Sequence, residues 1–181
     1  HNDTVGMPLA CADMLVMDAD GRQQPPDTLG EIWIRGPMTV RGYWNNPEGT
    51  AAAFTAGYWH SGDIGSMDAQ GYVKVVDRMK DMINRGGYKI YTIEVENVLY
   101  LHPAVQECAV VSKPCPVLGE RVHAFVALKA DATAEQLREF CMSRLSDYKV
   151  PESFTIQHTP LPRNANGKLV KQEMRAHLLA E

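Results

Sequence analysis

The chain contains 181 residues, 45% of them hydrophobic, which is enough to bury one or two cores of ordinary size. Lysine and arginine together number 18 against 22 aspartates and glutamates, and the net charge of -4 argues against a protein that binds nucleic acid regardless of sequence, since such proteins usually present a basic face. No apolar stretch approaches the ~18 residues that a membrane-spanning helix needs, and the longest ones have the length of strands.

The cysteines and histidines show no spacing typical of a metal centre or a disulfide framework. The four cysteines are scattered through the chain without a CxxC pair: Cys11, Cys108, Cys115 and Cys141. This pattern favours reduced thiols in a cytoplasmic protein. The six histidines contain no HxxxH or comparable pair, so we expect no metal bound by protein side chains.

Short strands and turns dominate the first part of the chain. GEIWIRG alternates apolar and polar residues as a half-buried strand does, and the segments DADG and DAQG are typical of turns between strands. Asn46 and Pro47 predict the cap and the first position of a short helix. Turns at such regular spacing indicate a small, β-rich, barrel-like subdomain.

Helices alternate with strands in the second part of the chain. A hairpin is predicted over the paired glycines of DMINRGGYKIY, and a helix over IEVENVLYL with Thr92 as its cap. Thr133 and Gln136 predict the capping box of a second helix, and an amphipathic helix closes the chain. Three further segments have the composition of strands: VQECAVVSK, RVHAFVALK and SFTIQHT. This mixture predicts an α+β fold.

The boundary between the two parts is predicted at the polar segment DRMKD, residues 77–81. This segment lies between two different patterns of strands and helices and holds no apolar cluster, as is usual for a linker or a hinge. We therefore predict two domains, 1–78 and 79–181, with the hinge at their junction.

A glycine-flanked turn in YWHSGDIG carries Asp63. A carboxylate in such a place can accept hydrogen bonds from both hydroxyls of a ribose, as the acidic residue of dinucleotide-binding folds does. A turn aspartate that binds its own backbone would give the same pattern, so this motif alone leaves both interpretations open.

Residues 75–91 concentrate charge and glycine. Arg78 ends a predicted strand, Lys80 follows in the hinge, and Gly86 and Gly87 permit positive φ and close approach of a ligand to the backbone. An ordinary charged hairpin has the same features, so this segment is also ambiguous by itself.

The segment PLPRNANGK places Lys168 after a tight turn and before the last helix. A lysine near a helix N-terminus interacts unfavourably with the helix dipole, which hints at a role other than solvation. On a mobile loop it can place a compact cation against a phosphate or a carboxylate.

Taken together and in this order, the motifs resemble the acyl-adenylate-forming (AMP-binding) superfamily, in particular its acyl-CoA synthetase or fatty-acid–CoA ligase branch. The resemblance extends from about residue 5 to the end of the chain. The segments that carry it are, in order, GEIWIRGPMTVRGYWNNPEGTAAAF, GYWHSGDIG, GYVKVVDRMKDMINRGGYKIYTIEVENVL, HPAVQECAVV, LGERVHAFVAL, LSDYKVPESF and PLPRNANGK. Members of this family convert a carboxylate and ATP into an acyl-adenylate and pyrophosphate, and most then transfer the acyl group to a thiol. The resemblance implies an acid–thiol ligase of fatty acid metabolism with Mg²⁺-ATP and CoA as cofactor and cosubstrate.

The resemblance also implies a role for individual residues. Asp63 and Arg78 match the residues that bind the ribose of ATP, and Lys80 matches the hinge residue about which a C-terminal lid rotates between the two half-reactions. Lys168 matches the catalytic lysine that bridges the carboxylate and the α-phosphate. Five residues match positions that face the pantetheine tunnel or the phosphates of CoA: Gly86, Gly87, Tyr88, Lys89 and Lys149. For Lys149 a plain surface charge is an equal alternative.

Some parts of the family pattern differ or are missing. Ser61 stands where the family usually has threonine, and Thr92 stands where many members have proline. The Ser/Thr/Gly-rich phosphate loop and the Y-G-x-T-E segment are expected upstream of His1. We therefore expect the C-terminal portion of a larger enzyme: the last β-rich subdomain of the adenylating domain, followed by the lid. Mg²⁺ is then bound by residues outside this chain.

Two alternatives remain at this point. The chain could be the lid of an adenylation domain that loads a carrier protein, although the segment DRMKDMI favours CoA ligases. As an isolated polypeptide it could also be a non-catalytic domain that neither binds ATP tightly nor turns over.

Overall fold

The computed structural model describes residues 3–179. The chain divides into two compact units, His1–Lys80 and Asp81–Glu181. In the described part, no helix combines the length and the apolar character that crossing a membrane requires.

The first unit is built on a curled, five-stranded antiparallel sheet. Its elements are β1 (Asp13–Met17), β2 (Gly30–Arg35), α1 (Pro47–Ala53), β3 (Phe54–Thr55), β4 (Tyr58–Met67) and β5 (Val73–Arg78). The sheet order is β1-β2-β4-β3, and β5 also pairs with β4. The long strand β4 therefore changes partner along its length: its first residues pair with β3 and its last residues with β5.

Local signals in the first unit are used as the sequence predicts. The Asn46 side chain accepts a hydrogen bond from the Gly49 amide at 2.8 Å, and Pro47 is the first residue of α1. The turn DAQG closes with a hydrogen bond of 3.0 Å from the Gly71 amide to the Asp68 carbonyl. In β2, however, burial does not alternate as predicted: the adjacent residues Ile32 and Trp33 are both buried, beside an irregularity in the pairing of β2 with β4.

Up to residue 179, the second unit combines a mixed sheet with three α-helices. Its elements are β6 (Ile83–Arg85), β7 (Tyr88–Ile90), α2 (Thr92–Tyr100), β8 (Val105–Cys115), β9 (Gly119–Leu128), α3 (Ala134–Met142), a 3₁₀ turn (Asp147–Lys149), β10 (Ser153–Gln157) and α4 (Lys171–Leu179). Strand β9 is central: it pairs antiparallel with β8 and β6 and parallel with β10. The α+β prediction is confirmed.

Helices cover both faces of this sheet because side chains of β8 and β9 alternate between them. On one face, buried residues of the sheet pack against α2 and α3: Cys108, Val110, Val122, Ala124, Val126 and Leu128. On the other face, a smaller set packs against Met174 and Leu178 of α4: Ala109, Val111, Phe125 and Ala127. The face covered by α2 and α3 holds the larger core, because more buried side chains pack there. Each fully buried aliphatic side chain stabilises the fold by roughly 1.5–3 kcal/mol, so this face contributes more to stability.

The helix starts show where local rules succeed and where they fail. The capping box of α3 is present, with Thr133 Oγ1 accepting from the Gln136 amide at 3.2 Å and Gln136 Oε1 accepting from the Thr133 amide at 2.9 Å. The prediction that Thr92 caps α2 is wrong: Tyr91 is the cap, and Thr92 is the first residue of the helix and is fully buried. Its hydroxyl instead accepts a hydrogen bond from Lys171 Nζ of α4 at 2.8 Å.

Candidate functional site

The predicted site residues form two groups, one in each unit. In the first unit, Asp63 of β4 and Arg78 of β5 are directly opposite each other in the antiparallel ladder. Arg78 Nε lies 2.8 Å from Asp63 Oδ1, and the two side chains are 55% and 29% exposed, respectively. An ion pair this exposed stabilises a fold by about 1 kcal/mol at most. Asp63 and Arg78 can therefore bind a ligand from solvent as acceptor and donor, and the fold depends little on the ion pair between them.

Asp63 lies within strand β4 and not on the turn that the sequence predicts, and the sequence did not predict the contacts around it either. Gly62 has φ of 70° and its amide donates to Glu31 Oε1 at 3.1 Å, while the Asp63 amide donates to Ser61 Oγ at 3.0 Å. Glu31 also accepts from the Trp33 indole at 2.8 Å. Because Glu31 and Trp33 are two residues apart in β2, strand alternation could have placed them on one face. Ser61 keeps the hydroxyl that this contact needs.

Lys80, the predicted hinge residue, and its neighbour Asp81 differ sharply in exposure. Lys80 is exposed in the turn after β5, and Asp81 is buried in the second unit. Arg175 Nη2 of α4 lies 2.7 Å from Asp81 Oδ1. The residue that follows the predicted hinge is thus anchored by the last helix, a contact that sequence analysis missed.

The paired glycines form the two-residue turn of the β6–β7 hairpin. Arg85 pairs with Tyr88, and the two glycines between them have φ of 58° (Gly86) and 91° (Gly87), as a type I′ turn requires. The Tyr88 ring is exposed and stacks on Tyr148 with 4.7 Å between centroids. Lys89, the next residue of β7, is also exposed.

Lys149 is engaged within the second unit. Its ammonium contacts both carboxylate oxygens of Glu94, at 2.7 and 2.8 Å, and its side chain is only 18% exposed. A phosphate would have to compete with Glu94 for this lysine, whereas Lys89 faces solvent. The structure therefore distinguishes two lysines that the sequence pattern had grouped together.

Lys168 stands at the end of a small hairpin formed by residues 162–170, called the Lys168 hairpin below. The Asn164 amide donates to the Lys168 carbonyl and the Gly167 amide to the Asn164 carbonyl, each at 2.9 Å, and Gly167 has φ of 77°. This is a three-residue loop that ends in a left-handed glycine. Asn164 Oδ1 also accepts from the amides of Asn166 and Lys168, each at 3.0 Å. The turn is therefore locked by its own side chain.

The Lys168 ammonium is exposed, and no residue between 3 and 179 forms a hydrogen bond or ion pair with it. A lysine with a locked backbone and an unengaged ammonium can present a positive charge to a ligand with little loss of backbone entropy.

The thiols fall into distinct environments. Burial raises the pKa of Cys108 strongly and that of Cys141 to about 11, which leaves both as neutral core residues. Hydrogen bonds from the Leu118 and Val117 amides and from Arg121 lower the pKa of Cys115. Among the described residues, no group of three histidines, cysteines or acidic residues could hold a metal ion.

Comparisons with known proteins agree on one family. Residues 94–168 match the model of the AMP-binding enzyme C-terminal domain, and residues 1–44 match that of the AMP-binding enzyme. The long-chain-fatty-acid–CoA ligase of Escherichia coli is 38% identical over 176 residues, or 97% of this chain and 31% of the ligase. The feruloyl-CoA synthase of an Amycolatopsis species is 41% identical over 175 residues, or 95% of this chain and 35% of the synthase. The chain spans about a third of the length of these relatives.

Solved structures of two enzymes are also similar to this chain in both fold and sequence. The O-succinylbenzoate coenzyme A synthetase of Bacillus subtilis in complex with AMP has a TM-score of 0.87 and 35% identity, covering 96% of this chain and 35% of the synthetase. The amide bond synthetase McbA of Marinactinospora thermotolerans also has a TM-score of 0.87, with 36% identity over 97% of this chain and 36% of that protein.

Proposed function

The chain belongs to the AMP-binding enzyme family, and on that premise we propose that it is the C-terminal part of an ATP-dependent acyl-CoA synthetase. The complete enzyme activates a carboxylic acid as acyl-AMP and transfers the acyl group to CoA. Relatives named as CoA ligases and synthases support this assignment over nearly the whole length of the chain. We also propose a cytoplasmic location, since all four cysteines are unpaired, as is usual in a reducing compartment.

The Asp63–Arg78 pair is the observation that carries the proposal. Strand pairing holds a carboxylate and a guanidinium 2.8 Å apart on a solvent-facing edge. An ionised carboxylate accepts several hydrogen bonds and a guanidinium donates several, so the pair can bind both hydroxyls of a ribose in one plane of contacts. We assign both residues to the ribose of ATP and of the adenylate.

Lys168 is proposed as the catalytic lysine of the first half-reaction. A carboxylate oxygen of the acid attacks the α-phosphorus, the bond from that phosphorus to the bridging oxygen breaks, and pyrophosphate leaves. Negative charge accumulates on the acid and the α-phosphate as they approach, and the Lys168 ammonium would offset it. A preorganised cation at such a site accelerates a reaction by about 10²–10³-fold.

In the second half-reaction the sulfur of CoA attacks the acyl carbonyl, its proton is lost to solvent or a base, and AMP leaves. We propose that residues 1–78 are the last subdomain of the adenylating domain and 79–181 the lid, which rotates about Lys80 between the two half-reactions. The Gly86–Gly87 turn and Tyr88 would then line the path of the pantetheine arm. Lys89 is the better candidate for a CoA phosphate, because Glu94 already holds Lys149.

Mg²⁺ enters this proposal only with ATP. The described residues provide no group of three ligands that would fit the ion. We therefore propose that residues outside this chain bind the ion.

A second candidate differs in the acyl acceptor. The match to an amide bond synthetase is as good in TM-score as the match to the CoA synthetase. An amine would then attack the adenylate in place of the thiol, with AMP leaving in the same way. Asp63, Arg78 and Lys168 serve the first half-reaction under both proposals.

The test uses the complete enzyme. Acid-dependent exchange of labelled pyrophosphate into ATP, across a panel of aliphatic and aromatic acids, is expected for both candidates. Thioester formation with CoA, and no amide with free amines, is the result expected for an acyl-CoA synthetase. Cleavage of ATP to ADP, or the absence of acid-dependent exchange with every acid, would contradict the proposal.

A further inference from the structure

The Lys168 hairpin is tied to the sheet by an arginine to which the motif itself assigns no role. Arg163 Nη1 donates to the Gly167 carbonyl at 2.6 Å, and Arg163 Nη2 lies 3.2 Å from Glu107 Oε2. One guanidinium therefore spans from the residue before Lys168 to a carboxylate on β8. Its planar, forked donors hold two acceptors in a more fixed geometry than the ammonium of a lysine does.

Glu107 is a firm attachment point. Its side chain is 16% exposed, and it lies beside an irregularity in the pairing of β8 with β9. The same Oε2 atom accepts a hydrogen bond from the Leu161 amide at 3.3 Å. Leu161 is itself buried in the core under α4. Glu107 thus contacts the start of the segment 161–167 directly, through the Leu161 amide. It is linked to the end of the segment through Arg163, which binds the Gly167 carbonyl.

The contacts inside the hairpin complete the restraint. Asn164 binds the amides that follow it, and Arg163 pairs with Leu169 in an isolated bridge. Since the turn is locked internally and joined to β8 through Arg163, the backbone of Lys168 has little freedom to move apart from the sheet. Movement of Lys168 into and out of an active site must then come from the whole unit.

We propose that Arg163 is a positioning residue, which holds the Lys168 hairpin against Glu107 so that Lys168 reaches the reacting groups in one fixed geometry. The proposal rests on the function proposed above for Lys168. It predicts that Arg163 affects adenylation and leaves thioester formation alone, because Lys168 is needed only in the first half-reaction. A misplacement of about 1 Å in a catalytic group can cost on the order of 10²-fold in rate.

The experiment measures both half-reactions of the complete enzyme for Arg163→Met, Arg163→Lys and Glu107→Gln. Pyrophosphate exchange reports adenylation, and thioester formation from supplied acyl-adenylate reports the second step. Arg163→Met is expected to lower the kcat of exchange by about 10–100-fold, with the second step within about twofold of the parent and the KM for ATP little changed. Arg163→Lys is expected to fall between the parent and Arg163→Met, because lysine keeps the charge but not the fork.

A matched control is Arg144→Met. Arg144 is an exposed arginine that also donates to a main-chain carbonyl, that of Phe140 at 3.1 Å, and it lies after α3. This variant should leave both half-reactions unchanged. If Arg163→Met lowers the folded fraction, Glu107→Gln still tests the contact between Arg163 and Glu107. This substitution keeps the shape of the side chain and removes only its charge.

The outcomes separate the two proposals. Equal loss in both half-reactions for Arg163→Met and Glu107→Gln would mean a general structural role and would overturn the positioning role. Full exchange activity in both variants, alongside a Lys168→Ala variant that has lost it, would also overturn the positioning role but leave the function of Lys168 intact. Full exchange activity in Lys168→Ala would overturn the catalytic role proposed for Lys168, and the positioning role of Arg163 with it.

Discussion

In the first unit, Asp63 and Arg78 meet because two neighbouring antiparallel strands place them opposite each other, 15 residues apart along one hairpin-like connection. In the second unit, Lys168 is placed by Arg163 and by Glu107, which comes from a strand much earlier in the chain. The first arrangement follows from local strand register, and the second depends on side-chain contacts across the unit. Strand register thus holds the first group of residues, whereas individual side-chain contacts hold the second.

The largest expected effect is the loss of adenylation when Lys168, in the second unit, is replaced. Lys168→Ala should lower pyrophosphate exchange by about 10²–10³-fold, since a cation that faces the developing charge is removed. Thioester formation from supplied acyl-adenylate should be largely spared. Lys129→Ala, which removes another exposed lysine of the same unit, is the control and should change neither assay. Equal loss in both assays would sink the role assigned to Lys168.

The Asp63→Asn substitution tests the Asp63–Arg78 pair, which strand register brings together. Charge-assisted hydrogen bonds contribute about 1.5–3 kcal/mol each, so loss of the carboxylate charge should raise the KM for ATP by roughly 10–100-fold. Unfolding should change by less than about 1 kcal/mol because the ion pair is exposed.

Asp20→Asn is the matched control, since Asp20 forms an equally simple exposed pair with Arg22 at 3.0 Å. A KM for ATP that rises equally in both variants, or in neither, would count against ribose binding by Asp63.

The Lys80→Pro substitution tests the hinge proposed between the two units. Proline fixes φ near -65°, so a backbone rotation at this residue should be blocked and overall turnover should fall by about tenfold or more, with acyl-adenylate accumulating. Chromatographic measurement of adenylate and thioester checks this directly. Lys80→Ala keeps the rotation and should turn over normally; a proline variant with unchanged turnover would argue against the hinge.

The smallest effect concerns the tie between α2 and α4. Lys171 Nζ lies 2.8 Å from Thr92 Oγ1 and 2.7 Å from Glu96 Oε1. Thr92→Val removes one acceptor from a mostly buried ammonium and should lower the free energy of unfolding by about 1–3 kcal/mol. Thr92→Ser keeps the hydroxyl and should lose much less. Chemical denaturation measures both, and a valine variant as stable as the parent would show that the contact contributes nothing.

Much of the fold could be predicted because its signals are local. The capping box at Thr133, the helix start at Asn46 and Pro47, and the glycine hairpin each depend on residues within three or four positions of one another. The left-handed φ at Gly167 likewise follows from a turn that prefers glycine. These elements depend on neighbours along the chain, which is why sequence patterns identify them.

The missed contacts share the opposite property. Thr92 was assigned to a cap because threonine suits that position, but its hydroxyl binds a lysine 79 residues away. Arg175 meets Asp81 across 94 residues. A hydrogen bond to a distant partner has no fixed spacing in the sequence, so no local pattern could have revealed either contact.

Spacing along the chain is enough to predict the alternation of strands and helices, the turn chemistry and the order of motifs that identifies the family. The folded structure is needed to show which charges are engaged: Glu94, 55 residues before Lys149, holds that lysine, while Lys89 and Lys168 face solvent. It also showed that Arg163 joins the Lys168 hairpin to Glu107. The physical reason is that the availability of a charged side chain depends on which partners the folded chain brings within about 3 Å.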